Sequence, residues 1–187
     1  SCIDCIPGRY STKIAATGDA ECRDCGRGMF SNVSGSPGVE YCAECPSGRW
    51  ASTQVNDDLE DCVKCGVGRY GSNPAQPTAD SCAECTAGRY AQVEGTNGLA
   101  ECTQCVPGKF STTLAANSSD TCVDCPVGQS QPQSGRSQCI DCARGKANAL
   151  VGQAECEDCD PGFYTSFGAT ECTACELGRV DHDNDPF

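Results

Sequence analysis

Twenty of the 187 residues are cysteines, and every one belongs to a Cys-x-x-Cys pair. Seven pairs open at Cys2, Cys22, Cys42, Cys62, Cys82, Cys102 and Cys122, and three more at Cys139, Cys156 and Cys172. Steps of 20 residues thus give way to steps of 17, 17 and 16. A bridge within each pair would make a small strained ring suited to redox exchange, which needs a βαβ setting this chain lacks. Two successive pairs also satisfy a structural zinc site with four thiolates, so the ten pairs have ligands for five metals. Disulfides confined to blocks of two units would impose a period of 40 residues, yet adjacent units look equivalent. The remaining scheme joins the second cysteine of one pair to the first of the next.

That last scheme is the one expected here. It pairs Cys5 with Cys22, Cys25 with Cys42, Cys45 with Cys62, Cys65 with Cys82 and Cys85 with Cys102. It continues with Cys105 to Cys122, Cys125 to Cys139, Cys142 to Cys156 and Cys159 to Cys172. Each closed loop is worth roughly 3 kcal/mol in the chain-entropy account. Zinc remains the rival, opposed by the acidity, the glycosylation triplets and the unbroken run of like units. Cys2 and Cys175 are left for a neighbouring segment or subunit. With a second copy placed after the first, Cys175 lies 14 residues from the next Cys2, as Cys125 does from Cys139. The chain opens at Ser1 with no initiator Met or signal peptide. The expectation is a piece of a longer repetitive polypeptide, or copies joined head to tail.

One other group of residues has metal-binding chemistry. Asp181, Asp183 and Asp185 alternate around His182 and Asn184 as ligands do in calcium loops, which makes calcium the candidate cation. Pro186 and the chain end stand where an EF-hand needs its later ligands, so a hydrated acidic turn is the alternative. His182 is the only histidine and has no partnered nucleophile, so no catalytic constellation and no enzyme is expected.

The elements that must hold these sulfurs are small. Leu, Ile, Val and Phe supply only 25 residues, too few for a conventional core. Such chains replace apolar burial with covalent cross-links. Three residues after the second cysteine of each pair stands a glycine, from Gly8 and Gly28 to Gly162 and Gly178. A glycine in fixed register marks a positive φ or a close backbone approach. Two places later an aromatic follows in seven units: Tyr10, Phe30, Trp50, Tyr70, Tyr90, Phe110 and Tyr164. Ser130, Ala147 and Val180 stand there in the others. The rings are expected to lie on the disulfide of their own or the next unit; a ligand-binding stripe is the alternative. Arg or Lys often precedes the ring, and Asp or Glu often lies inside the next pair, so charges should alternate along the outside. The pattern predicts a turn at the glycine, a short strand through the aromatic, a loop, and a second short strand into the next cysteine. No segment has the apolar spacing of an amphipathic helix.

Composition also bounds location and partners. Disulfides persist outside the cell or in the secretory pathway, and the triplets Asn32-Val33-Ser34 and Asn117-Ser118-Ser119 make Asn32 and Asn117 candidate glycan acceptors. A net charge of −13 argues against nucleic acid and anionic lipid. No apolar run approaches a membrane span. Three segments are expected: residues 1–125 with six regular 20-residue repeats and the start of a seventh, 126–175 with shorter repeats, and an acidic 176–187 leading into a further repeat or subunit.

The order Cys-x-x-Cys-x-x-Gly-Arg-Tyr-Ser resembles the ephrin-receptor-like cysteine-rich repeat, a relative of the tumour-necrosis-factor-receptor modules. It is clearest at Cys2–Tyr10, Cys42–Trp50, Cys102–Phe110 and Cys156–Tyr164. The segment Gly178–Pro186 is also similar to one found in long cysteine-rich surface proteins of algae and other protists, and related repeats occur in flagellar mastigonemes. The resemblance implies an extended, secreted, disulfide-laddered rod. The expected fold is therefore small and disulfide-rich, mostly irregular with short β-hairpins, in about ten tandem repeats of some 20 residues with no helix bundle or large core. The expected role is a structural segment of an extracellular filament or cell-surface coat, with itself as the partner and other surface proteins as further candidates. A receptor or adhesion ectodomain binding a protein ligand is the runner-up, and a zinc-binding repeat protein a lesser one.

Overall fold

Residues 3–14 and 17–177 are described by a computed structural model. They fall into two compact units, Ser1–Cys85 with Ala91–Cys102, and Thr86–Tyr90 with Thr103–Phe187.

Each repeat starts from a tight turn. The Arg49 N–H donates to the Pro46 carbonyl at 3.1 Å, and Gly48, third in the turn, has φ 83°. A turn with positive φ at its third position is the type II geometry that selects glycine. The same bond recurs from Arg9 to Ile6, Arg69 to Gly66, Lys109 to Val106 and Phe163 to Asp160. Pro7, Pro107 and Pro161 occupy the second position, where the fixed φ of proline fits.

The turn leads into an antiparallel hairpin with strands of two residues. In the first unit the pairs are Arg9–Tyr10 with Arg23–Asp24, Met29–Phe30 with Ala43–Glu44, Arg49–Trp50 with Val63–Lys64, and Arg69–Tyr70 with Ala83–Glu84. In the second unit Arg89–Tyr90 pairs with Thr103–Gln104, and Lys109–Phe110 with Val123–Asp124. Gln129–Ser130 with Ile140–Asp141, Lys146–Ala147 with Glu157–Asp158, and Phe163–Tyr164 with Thr173–Ala174 complete it. The second strand therefore lies between the two cysteines of the next pair rather than ahead of them. What leads into the cysteine in the long repeats is one 3-10 turn, as at Val39–Tyr41, Leu59–Asp61 and Leu99–Glu101 in the first unit and Ser119–Thr121 in the second. Long repeats have disulfides spanning 17 residues, and short ones span 14 or 13. Among the described residues the short loops contain no such turn, because the three or four residues removed are the turn.

Nine disulfides close these loops. Cys5–Cys22, Cys25–Cys42, Cys45–Cys62, Cys65–Cys82 and Cys85–Cys102 lie in the first unit. Cys105–Cys122, Cys125–Cys139, Cys142–Cys156 and Cys159–Cys172 lie in the second. Every described cysteine except Cys175 is thereby bonded, so no set of thiolates remains for zinc.

Successive repeats are joined by backbone hydrogen bonds in three rows. Gly8, Gly28, Gly48 and Gly68 donate to the carbonyls of Ser31, Ala51, Gly71 and Ala91 at 2.8–2.9 Å. Ser11, Ser31, Ala51 and Gly71 donate to Ser36, Asn56, Gln76 and Thr96. Gly35, Ala75 and Gly95 donate back to Cys5, Cys45 and Cys65. In the second unit the glycine row runs Gly88 to Ser111, Gly108 to Gln131 and Gly128 to Asn148. Contacts also reach beyond the adjacent repeat. A Cβ on Gly8 would stand 2.9 Å from the Asn56 carbonyl oxygen, two repeats on, and one on Gly48 would collide with the Gly95 carbonyl. Glycine at this place thus serves both the turn and the passage of a third backbone.

The interior is sulfur and small polar residues. Cys45, Ala51 and Cys62 form one buried cluster with Phe30 packed on it, and Cys85, Ala91 and Cys102 another with Tyr70 and Leu99. Each of these two rings lies on the disulfide of the following repeat. Ser31, Ser36, Asn56, Gln76, Thr96 and Ser111 are also buried. This is a small disulfide-rich repeat fold of short hairpins, with no α-helix among the described residues.

Candidate functional site

The hairpin places the first strand residue on one face and the second on the other. Within each unit most of the first positions carry charge. Arg9 pairs with Asp24 at 2.9 Å, Arg69 with Glu84 at 2.7 Å, Lys109 with Asp124 at 2.6 Å and Lys146 with Asp158 at 2.5 Å. All lie at half-exposed or exposed positions, where such a pair contributes about 0–1 kcal/mol. Arginine does more here than neutralise charge. Arg49 faces Lys64 instead of an acid, and its Nη1 donates to the Leu59 and Cys62 carbonyls at 3.2 and 2.9 Å. Arg69 likewise donates to the Cys82 carbonyl at 3.2 Å. The guanidinium thus satisfies carbonyls where the loop returns to its disulfide, a use that charge patterning did not reveal.

Carboxylates serve the same loops. Asp61 accepts from the Asp57 and Asp58 N–H groups at 2.7 and 3.3 Å, and Asp58 accepts from Glu60 N–H at 2.7 Å. Asp57, Asp58 and Asp61 each bring a carboxylate oxygen within 4.8 Å of the others, all exposed. The charge of Asp61 beside it raises the Asp57 carboxyl above its ordinary range. In the first repeat Glu21 accepts from Thr17 N–H at 2.6 Å and pairs with Lys13. The Lys13 hydrogen bond and the Thr17 N–H hold Glu21 below the usual carboxylate range. The sequence reading missed these acids as caps. A hydrogen-bonding acid four residues after a backbone N–H and just before a cysteine was the available signal.

The remaining candidates are placed as follows. Asn32 and Asn117 are both exposed on loops, with Ser34 and Ser119 exposed beside them. Cys175 is a half-exposed free thiol whose N–H donates to the Gly162 carbonyl at 2.8 Å. Asp181, Asp183, Asp185 and Cys2 lie outside the described residues. No described helix is long and apolar enough to cross a membrane. Exposed apolar side chains occur along the whole chain, Ile3, Ile14 and Val93 as much as Leu150, Val151 and Phe167; Phe167 has the Arg144 guanidinium 5.5 Å from its ring centre. Nine disulfides holding small loops suit an oxidising, secreted or extracellular environment. No protein-family model matches the chain, and no curated protein does.

Proposed function

We propose that the chain is a structural, non-enzymatic segment or subunit of an extracellular filament or cell-surface coat, of the mastigoneme type carried on protist flagella. The observation that supports this most is the recurrence of one set of rungs. The bond from Gly8 to Ser31 is repeated at Gly28, Gly48 and Gly68 in one unit, and at Gly88, Gly108 and Gly128 in the other. A body built by repeating one contact suits a load-bearing or covering role more than a single binding site. The exposed Asn32 and Asn117 would carry glycans on such a surface. Electron micrographs of the native material test the reading. Long fibres or a lattice with a regular repeat are expected, and isolated short particles would count against it.

A receptor or adhesion ectodomain is the second reading. It is favoured by the exposed Phe167 with the Arg144 guanidinium beside its ring, an aromatic and an arginine together on the surface. Capture of one protein ligand, abolished by Phe167→Ser, would establish it.

A further inference from the structure

Seven asparagines occur in the chain, and Asn97 alone is followed by glycine. Asn97 is exposed on the loop that the Cys85–Cys102 disulfide closes. The Gly98 N–H donates to no described residue, and nothing stands within 4 Å of a Cβ built on Gly98. A backbone nitrogen with no Cβ beside it can be approached closely. The other described asparagines lack this combination. Asn56 and Asn148 are buried, and their Nδ2 groups donate to backbone carbonyls. Asn73 precedes Pro74, which has no N–H. Asn32 and Asn117 are exposed but precede Val33 and Ser118, whose side chains crowd the nitrogen.

We propose that Asn97 is a site of spontaneous covalent modification by its own backbone and water, and that the change loosens its repeat. The Gly98 nitrogen attacks Cγ of Asn97 and forms a bond to it. The Cγ–Nδ2 bond breaks, and Nδ2 leaves as ammonia with the proton from Gly98. Water then opens the cyclic imide without any change of oxidation state. Addition at Cγ gives aspartate; addition at the main-chain carbonyl gives isoaspartate, whose backbone runs through the former side chain. Both products put a carboxylate beside Glu101, which accepts from the Asn97 N–H at 3.1 Å, as Asp57 already stands beside Asp61. Isoaspartate also lengthens the chain between two anchored points. On one side the Thr96 carbonyl accepts from the Gly71 N–H at 2.9 Å. On the other, Leu99 packs on the cluster of Cys85, Ala91 and Cys102. The chemistry is independent of the role proposed above.

Incubation of the purified, folded chain at mildly alkaline pH, followed by peptide mass mapping, tests it. Asn97 should convert to a mixture of aspartate and isoaspartate. Gly98→Ser should slow the conversion severalfold by restoring a Cβ. That variant suits the fold, because Ser118 caps the equivalent 3-10 turn and the Gly98 Cβ position is open. Hydrogen exchange at Gly71 should quicken in the aged chain and stay slow in the aged variant. Equal rates of conversion in the two chains would overturn the proposal, as would conversion seen only after reduction and unfolding. Unchanged exchange at Gly71 in fully converted chain would overturn the loosening.

Discussion

Gly71 and Gln76 share one interior space. A Cβ on Gly71 would stand 2.7 Å from the Gln76 Oε1 and 3.2 Å from the Cys65 sulfur. The equivalent pairs are Ser31 with Ser36, Ala51 with Asn56, Ala91 with Thr96 and Ser111 with Ala116. Glycine stands where its companion is glutamine, the longest residue of that row. The two rows therefore divide a fixed volume, as close packing requires.

Gly71→Ala should cost about 1–3 kcal/mol through overpacking. Adding Gln76→Thr, the residue found at Thr96, should recover most of the loss. A double-mutant cycle by thermal or denaturant unfolding reads the coupling. Additive effects would show that the two residues do not share the space.

The glycine of the turn is constrained twice, by φ 83° at Gly48 and by the Gly95 carbonyl against it. Gly48→Ala should therefore destabilise by about 1–3 kcal/mol. Gly66→Ala, with nothing within 4 Å of its Cβ and no positive φ, should be near neutral. Equal losses at the two sites would refute the next-but-one contact.

Asn56 is fully buried, and its Nδ2 donates to the Met29 carbonyl at 2.7 Å and the Thr53 carbonyl at 3.1 Å. Asn56→Ala strands both acceptors and should cost about 1–3 kcal/mol. Hydrogen exchange should quicken at Ser31, whose N–H bonds the Asn56 carbonyl. Unchanged protection there would place the loss elsewhere.

Two carboxylates should respond to pH with opposite signs. Glu21 is held low by Lys13 and the Thr17 N–H, so its contribution is present above the unfolded-state pKa and lost as pH falls through the lower folded value. Asp57 is raised by Asp61, so its repulsion weakens the fold above the raised value and is relieved as pH falls through it. Carboxyl-carbon NMR titration should show Glu21 moving up in Lys13→Met and Asp57 moving down in Asp61→Asn. Shifts in the other direction would contradict the assigned causes.

The sequence made the repeat, the turn glycine and the class of fold legible, because cysteine and glycine have few structural roles and occur here in fixed register. Phe30 and Tyr70 also lie on neighbouring disulfides, as expected of rings in chains with little other apolar surface. The buried rows were not legible. Ser36, Asn56 and Thr96 look like ordinary loop polars until the backbone of preceding repeats covers them. The 3-10 turns were hidden for a similar reason: three residues such as Leu59–Asp61 are too few to carry a periodicity, and only the cap from Asp58 and Asp61 betrays that turn. Contact two repeats away left no trace beyond glycine itself, which the turn alone already explained.

The central claim is that sulfur links each repeat to the next pair and so replaces an apolar core. Its most direct test is linkage mapping of the native chain by mass spectrometry, after digestion without reductant. The result expected is nine peptides joined from Cys5–Cys22 through Cys159–Cys172. Bridges inside single Cys-x-x-Cys pairs, or free thiols co-purifying with zinc, would contradict it.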